Sequence, residues 1–332
     1  MQKILVTGGA GFIGSNYIRY LLRKRNDVAI LNLDKLTYAG NRENLREFEQ
    51  DPRYRFVHGD ICDDHLVNQL TSEVEAVVNF AAESHVDRSI GTPDAFIRTD
   101  VFGAFILLEA ARRHSIKKFI QISTDEVYGS TLTGAFQETD ALMPSSPYSA
   151  SKAGADRLAY SYFVTYDVPV IITRCSNNFG PYQYPEKLIP LFVTNALENK
   201  ALPIYGDGKN VRDWIYVEDH CDAIDFIFTH GKNGETYNVG GGNERNNLEI
   251  TEMILAKLNK PKTLMTYVTD RLGHDRRYAV DARKLAALGW KPRHAFEAAL
   301  EYTIDWYVEN RGWWEKLKSG EYLEFYKKHY KL

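Results

Sequence analysis

An α/β fold with a doubly wound, parallel sheet and a smaller C-terminal substrate-binding lobe is the fold class this sequence predicts, on three observations. The first half alternates short β-branched runs with longer segments of helical periodicity. Several runs are nearly continuous in apolar residues, as strands covered on both faces are. A glycine-rich turn joins the first run to the first helical segment. The expected strands are residues 3–7, 28–34, 55–60, 76–82, 118–124 and 170–175. The expected helices are 15–25, 63–72, 94–114 and 148–166. This alternation calls for right-handed crossovers with helices on both faces of the sheet.

Beyond about residue 180 the texture changes. Proline and glycine cluster in 180–190 and 203–209, and strand signals become short and scattered. The expected organisation is a main domain over 1–180 and a lobe over 181–332 that closes over one end of the sheet. One late run, 236–239, is a candidate to return to the main sheet, and 296–310 reads as an amphipathic helix. The last twenty residues, rich in aromatics and lysine, read as packing plus a solvated face. Internal repeats are absent from the sequence.

Composition narrows the function classes. The 332 residues suffice for one large domain with a lobe or for two domains, and 44% hydrophobic with 26% charged residues is ordinary globular usage. A net charge of -3 gives no reason to expect nucleic-acid or membrane partners. Cys62, Cys175 and Cys221 lie far apart without metal-ligand spacing, so no metal and a reducing compartment are expected. The opening MQKILVTGG is too short an apolar run for a secretory leader, and no stretch reaches the roughly eighteen apolar residues of a membrane span. A cytoplasmic location is the expectation.

The turn reads Thr7-Gly8-Gly9-Ala10-Gly11-Phe12-Ile13-Gly14, between a strand and a helix. In this context Gly9 is expected to allow the tight turn, Gly11 to admit a pyrophosphate against the backbone and Gly14 to let helix and strand pack closely. The helix N-terminus offers free amides to phosphates. The second strand ends in Asp34, twenty residues past Gly14, where an acid meets the adenosine ribose of a dinucleotide. This is a Rossmann-type signature. The carboxylate favours NAD over NADP, because it would repel a 2′-phosphate, unless Lys35 or Arg42 offsets that repulsion. Asp60 and Ile61, at the end of the third strand, either flank the adenine or cap a turn.

Tyr148-Ser149-Ala150-Ser151-Lys152 is the second chemical signal. Four residues apart on a helix, the phenol and the ammonium share a face. A phenol titrates near pH ~10, so a base at neutral pH needs about three units of lowering, which a lysine and a positive nicotinamide ring supply together. Thr124, Asp125 and Glu126 end the fifth expected strand, the sheet end where ligands bind. One base suffices for alcohol oxidation. A carbon base and an acid for a leaving oxygen are what an added elimination needs. The alternative for Asp125 and Glu126 is a solvated turn or helix cap.

These residues together resemble the extended short-chain dehydrogenase/reductase family, over nearly the whole chain. Within it they are similar to the dTDP-glucose 4,6-dehydratases. The segments that carry the likeness are 7–14, Ser123-Thr124-Asp125-Glu126-Val127-Tyr128-Gly129, 148–152, 173–180, 185–190, 205–214 and 270–275. The acid pair after threonine is the specific part. The resemblance implies transient oxidation of the sugar by bound NAD, loss of water and return of the hydride. Tyr148, Lys152, Thr124, Asp125 and Glu126 are the catalytic set it implies. It places NAD against Gly8, Gly11, Phe12, Ile13, Gly14, Asp34, Lys35, Thr37, Asp60, Ile61, Ala81, Ala82, Thr99, Tyr148, Lys152 and Asn178. It places the nucleotide sugar, dTDP-glucose, against Glu83, Ser84, His85, Thr124, Asn177, Glu186, Lys187, Leu188, Pro203, Tyr205, Arg212, Asn247, Arg271 and His274. Arg212 and Arg271 suit a diphosphate by their forked donors; read alone, each is a surface ion-pair partner. Phe179 stands where relatives often carry tyrosine. A homodimer pairing 94–114 with 148–166 is also implied. A 4-epimerase, a decarboxylase or a dehydratase of another nucleotide is the neighbouring reading, and a non-catalytic NAD-binding module the distant one.

Overall fold

The computed structural model describes residues 1–319 together with Tyr322 and Tyr326, so most of the aromatic, lysine-rich tail lies outside the described residues. The first half runs β1 (Gln2–Thr7), α1 (Phe12–Lys24), β2 (Val28–Asp34), β3 (Tyr54–His58), α2 (Asp64–Thr71), β4 (Ala76–Asn79), α3 (Val86–Gly91) and α4 (Pro93–Phe96). A π-helical stretch, Ile97–Gly103, follows. Then come α5 (Ala104–Arg113), β5 (Lys118–Thr124), α6 (Pro147–Tyr166) and β6 (Val170–Cys175). The second half holds β7 (Asn177–Phe179), α7 (Leu188–Leu197), β8 (Leu202–Tyr205), β9 (Val211–Tyr216), α8 (Val217–His230) and β10 (Thr236–Val239). It continues with β11 (Glu244–Asn246), α9 (Asn247–Lys257), β12 (Met265–Val268), α10 (Arg283–Ala287), α11 (Phe296–Glu309) and α12 (Arg311–Leu317).

Seven strands form one sheet in the order β3-β2-β1-β4-β5-β6-β10, every neighbouring pair parallel. The fold is thus Rossmann-type and doubly wound. The strand order reverses between β1 and β4, which opens a crevice at their carboxyl ends. Alternate strand residues feed two cores. Ile4, Val6, Ile30, Val78, Ile120 and Ile171 pack on one face. Leu5, Leu31, Val77, Phe119, Val170 and Ile172 pack on the other. Burial on both faces is why these strands read as unbroken apolar runs. Two small sheets, β11-β9-β7 and β12-β8, stand apart from the main one. Among the described residues no helix is long and apolar enough to cross a membrane.

Several boundaries differ from the sequence reading for local reasons. The third strand is Tyr54–His58 rather than 55–60. The fourth ends at Asn79 rather than 82, because the chain then passes over the glycine turn. There a Cβ on Gly8 would lie 2.6 Å from the Ala81 nitrogen. Helix α1 begins at Phe12, with Gly11 as its N-cap, rather than at 15. The expected helix 94–114 is interrupted: α4 starts at Pro93 and the π-helical stretch separates it from α5. Asp63 and Ser72, expected as helix ends, are the caps of α2, and the Asp63 side chain accepts from the Leu66 amide. Helix α6 opens on Pro147 behind a Ser146–Ser149 capping box, so its first turn is well fixed.

Candidate active site

A cavity of about 290 Å³ lies at the carboxyl ends of the main-sheet strands. Gly8 takes φ +69° there, so the tight turn belongs to Gly8. Gly9, expected to make it, instead packs against the side chains of Asn32 and Ile18. A Cβ on Gly11 would meet only the Gly8 carbonyl, at 3.3 Å, and so leaves room for a ligand at the N-terminus of α1. Gly14 lies against the Gly8 carbonyl and admits no side chain.

Asp34 ends β2 with both carboxylate oxygens oriented by backbone amides, Oδ2 by Ala10 and Oδ1 by Leu36, each at 2.8 Å. Burial pushes its carboxyl up, against the pull of those amides. Lys35 is committed to Asp60 at 2.8 Å, and Arg42 to Glu49 at 3.5 Å while it lies over the Phe56 ring. Neither cation is therefore turned to offset Asp34. Asp60 also accepts from the Cys62 amide at 2.9 Å, so it serves both as a turn anchor and as cavity lining.

The chemical end is built by β5 and α6. Thr124, the last residue of β5, caps the short 3₁₀ helix Asp125–Tyr128 by accepting from the Glu126 amide at 3.3 Å. That cap presents both acids to the cavity. Asp125 is 3% exposed and not solvated. Burial, then the charges of Glu126 and Asp213, push its carboxyl far above the usual range. Its Oδ2 has no hydrogen-bond partner among the described residues. On α6, Lys152 donates to the Ile122 carbonyl at 2.7 Å. Burial pulls this ammonium down, and Asp100 is the main influence that raises it.

Tyr148 differs from expectation in one respect. Burial, then Glu126, Asp100 and Cys175, push its phenol well up, and a hydrogen bond with Thr124 pulls it back. Lys152 turns its ammonium to β5. The surroundings therefore call for further positive charge beside the phenol before it can act as a base near neutral pH. An oxidised nicotinamide ring brings that charge, and the open backbone at Gly11 suits its pyrophosphate. The residues present fit NAD.

A second cavity of about 150 Å³ adjoins the first, and Glu126, Asn177, Glu186 and Lys187 line both. Arg212 enters it from β9, 6% exposed, bonded to the carbonyls of Val211 and Asp275 and stacked 4.2 Å over Tyr278. It is not a surface ion-pair partner. Arg271 lies 3.7 Å from Asp87, which also accepts from Tyr205 at 3.2 Å. Lys187 reaches across to the Ser84 carbonyl at 2.6 Å. His274 pairs with Asp270, and burial followed by Arg271 holds its imidazole down to about 4.

Every residue expected from sequence to touch cofactor or sugar nucleotide lines one cavity or both. Glu83 and Ser84 line the first; His85, Leu188, Pro203, Tyr205, Asn247 and His274 line the second. Sequence reasoning missed Ser123, Cys175, Gln183 and Tyr184 in the first cavity and Asp87, Trp214 and Tyr278 in the second. Trp214 closes a segment already singled out. Tyr278 carries no spacing signal, yet its hydroxyl donates to Asp275 at 2.6 Å and lies 3.4 Å from Glu126.

Known proteins share this fold. The chain is 54% identical over 307 residues to the low-salt glycan biosynthesis protein Agl12 of Haloferax volcanii, covering 92% of this chain and 99% of that one. It is 49% identical over 358 residues to dTDP-glucose 4,6-dehydratase 1 of Escherichia coli K12, covering 99% of each. The crystal structure of DesIV, a dTDP-glucose 4,6-dehydratase of Streptomyces venezuelae with NAD and dTDP bound, superposes with a TM-score of 0.94 at 50% identity. That match covers 96% of this chain and 100% of DesIV. The family model for GDP-mannose 4,6 dehydratase matches residues 5–303, and the chain belongs to that family.

Proposed function

We propose that this protein is an NAD-dependent hydro-lyase that converts dTDP-glucose to dTDP-4-keto-6-deoxyglucose. One observation carries the reading: a buried carboxyl, Asp125, sits beside Glu126 where two cavities meet. One cavity suits a dinucleotide and the other a sugar nucleotide. An epimerase of this fold needs the phenol and the lysine but has no use for a protonated acid next to a second carboxylate.

The catalytic roles follow from the surroundings of each group. Tyr148, hydrogen-bonded to Thr124, takes the proton of the sugar 4-hydroxyl. NAD, when bound, supplies an acceptor for the hydride of carbon 4 and a donor of hydride to carbon 6. A ketone at carbon 4 makes the carbon 5 hydrogen acidic, and Glu126 removes it. Asp125, kept neutral by burial, gives its proton to the 6-hydroxyl, which leaves as water. Glu126 then returns its proton to carbon 5. Arg212 and Arg271 hold the diphosphate, and Lys152 ties α6 to β5 through the Ile122 carbonyl. Asp34, with neither Lys35 nor Arg42 turned toward it, favours NAD over NADP.

A homodimer belongs to the same reading. Ile97, Phe102, Tyr160, Val164 and Tyr166 are exposed on the π-helical stretch and on α6, and a second copy would cover them. The three free cysteines fit a reducing, cytoplasmic setting.

The test is to incubate the purified protein with dTDP-glucose and follow the product by mass. Loss of one water without net accumulation of reduced cofactor is expected. Interconversion of two sugars at unchanged mass would instead make it a 4-epimerase. In Glu126→Gln, dehydration should fall by roughly 10²- to 10⁴-fold while NAD stays bound.

A further inference from the structure

Asp100 has no part in the reaction as written, yet it is 2% exposed and packed against the turn of α6 that carries Tyr148 and Lys152. It stands in the π-helical stretch Ile97–Gly103, and such widened turns are frequent at functional sites. Its Oδ1 accepts from the Glu83 amide at 2.9 Å. Its Oδ2 lies 2.6 Å from Ser151 Oγ, and that same Oγ lies 2.8 Å from the Tyr148 carbonyl.

Counting hydrogens decides what this chain can be. A carboxylate and a carbonyl are both acceptors, and Ser151 has a single hydroxyl hydrogen to give. With Asp100 ionised, that one hydrogen makes only one of the two short contacts a full hydrogen bond, or is divided between them. With a proton on Oδ2, Asp100 donates to Ser151 and Ser151 donates to Tyr148, so each group is satisfied. We propose that Asp100 is a positioning residue for Tyr148 and Lys152, and that it acts as a neutral acid linking the Glu83 loop through Ser151 to the Tyr148 carbonyl.

Burial and one charged neighbour, Glu83, favour this assignment, and Lys152 opposes it. Facing Asp100 are Lys152 and Tyr148 from α6 and Glu83 from the loop after β4. Burial above all pushes the Asp100 carboxyl up to about 6, with Glu83 adding to the rise and Lys152 opposing it. An anion at this point also works against ionising Tyr148, which the proposed reaction requires. The neutral form removes that opposition and completes the hydrogen-bond chain.

Asp100→Asn tests the assignment, because the amide accepts from Glu83 and donates to Ser151 without charge. The kcat ratio of variant to wild type should be near one at about pH 5 and rise roughly tenfold by about pH 7, since a group titrating near 6 is then about one-tenth protonated. A flat or falling ratio overturns the proposal. Ser151→Ala should lower kcat with little change in KM, and at about pH 5, where Asp100 carries no charge, adding Asp100→Asn to it should change little further. The assay part rests on the functional reading above. The spectroscopic part does not: infrared difference spectra, wild type against Asp100→Asn, should contain a carboxylic-acid band at about pH 5 that fades as pH rises through about 6. Absence of that band at low pH refutes the neutral acid whatever reaction the enzyme catalyses.

Discussion

Lys152 Nζ is bonded to the carbonyl of Ile122, two residues before the end of β5, so the helix carrying Tyr148 and the strand carrying Thr124 are held together by one buried ammonium. Lys152→Met should keep the packing of the stem and lose the charge-assisted bond, worth about 1.5–3 kcal/mol. Turnover should drop by roughly 10²-fold or more, with circular dichroism unchanged and thermal stability reduced. Retention of full activity would remove Lys152 from the catalytic set.

Asp125→Asn should trade activity for stability. Its folded-state carboxyl is raised by burial, so its contribution is complete below the unfolded carboxylate range and is lost as pH rises toward the folded value. The asparagine variant escapes that loss. Its melting temperature should therefore exceed that of wild type above about pH 5, by more as pH rises. Lacking the acid for the leaving hydroxyl, it should oxidise dTDP-glucose and then stall, visible as persistent reduced-cofactor absorbance.

Arg212→Lys should separate binding from chemistry. The guanidinium is anchored by two carbonyls and keeps its charge for an anion. A lysine cannot repeat that forked geometry. KM for dTDP-glucose should rise by about 10-fold or more with a smaller change in kcat. Equal binding of sugar nucleotide by both forms, measured by calorimetry, would place the diphosphate elsewhere.

Arg174 predicts a purely structural loss. It is buried with Asp156, bonded to both carboxylate oxygens at 2.8 and 3.1 Å, and also donates to Tyr128 at 2.7 Å. Arg174→Met leaves buried Asp156 with the half-exposed Arg157, at 3.0 Å, as its remaining ion-pair partner, and should cost about 3 kcal/mol in chemical unfolding. Arg174→Met combined with Asp156→Leu should recover much of it, since a matched apolar pair leaves no stranded charge.

The sequence was most legible where one physical demand fixed each residue. Strands β2, β5, β6 and β10 have the bounds their apolar runs imply, because burial on both faces leaves no room for polar residues. The spacing of Tyr148 and Lys152 and the acid pair at the end of β5 were readable for a similar reason. Elsewhere demands overlapped. Helical periodicity runs on through residues 97–103 and masked the π-helical turn that divides the expected helix 94–114. Strands β7, β8 and β9 carry Asn177, Asn178, Pro203, Arg212 and Asp213 inside short runs, and these break the apolar signal. Which glycine turns and which packs depended on Asn32, a residue of the next strand. Asp87 and Tyr278 join the site through folding alone; Tyr278 meets Glu126 across 152 positions.

Because Glu126, Asn177, Glu186 and Lys187 belong to both cavities, the two compartments meet along one partition instead of being sealed from each other. A tethered molecule that joined a nicotinamide mimic to a thymidine diphosphate would seat its second half at a local concentration in the millimolar range once the first was docked. Such a compound should inhibit far more strongly than either fragment, and enzymes that bind the same cofactor but lack the adjoining chamber should escape it.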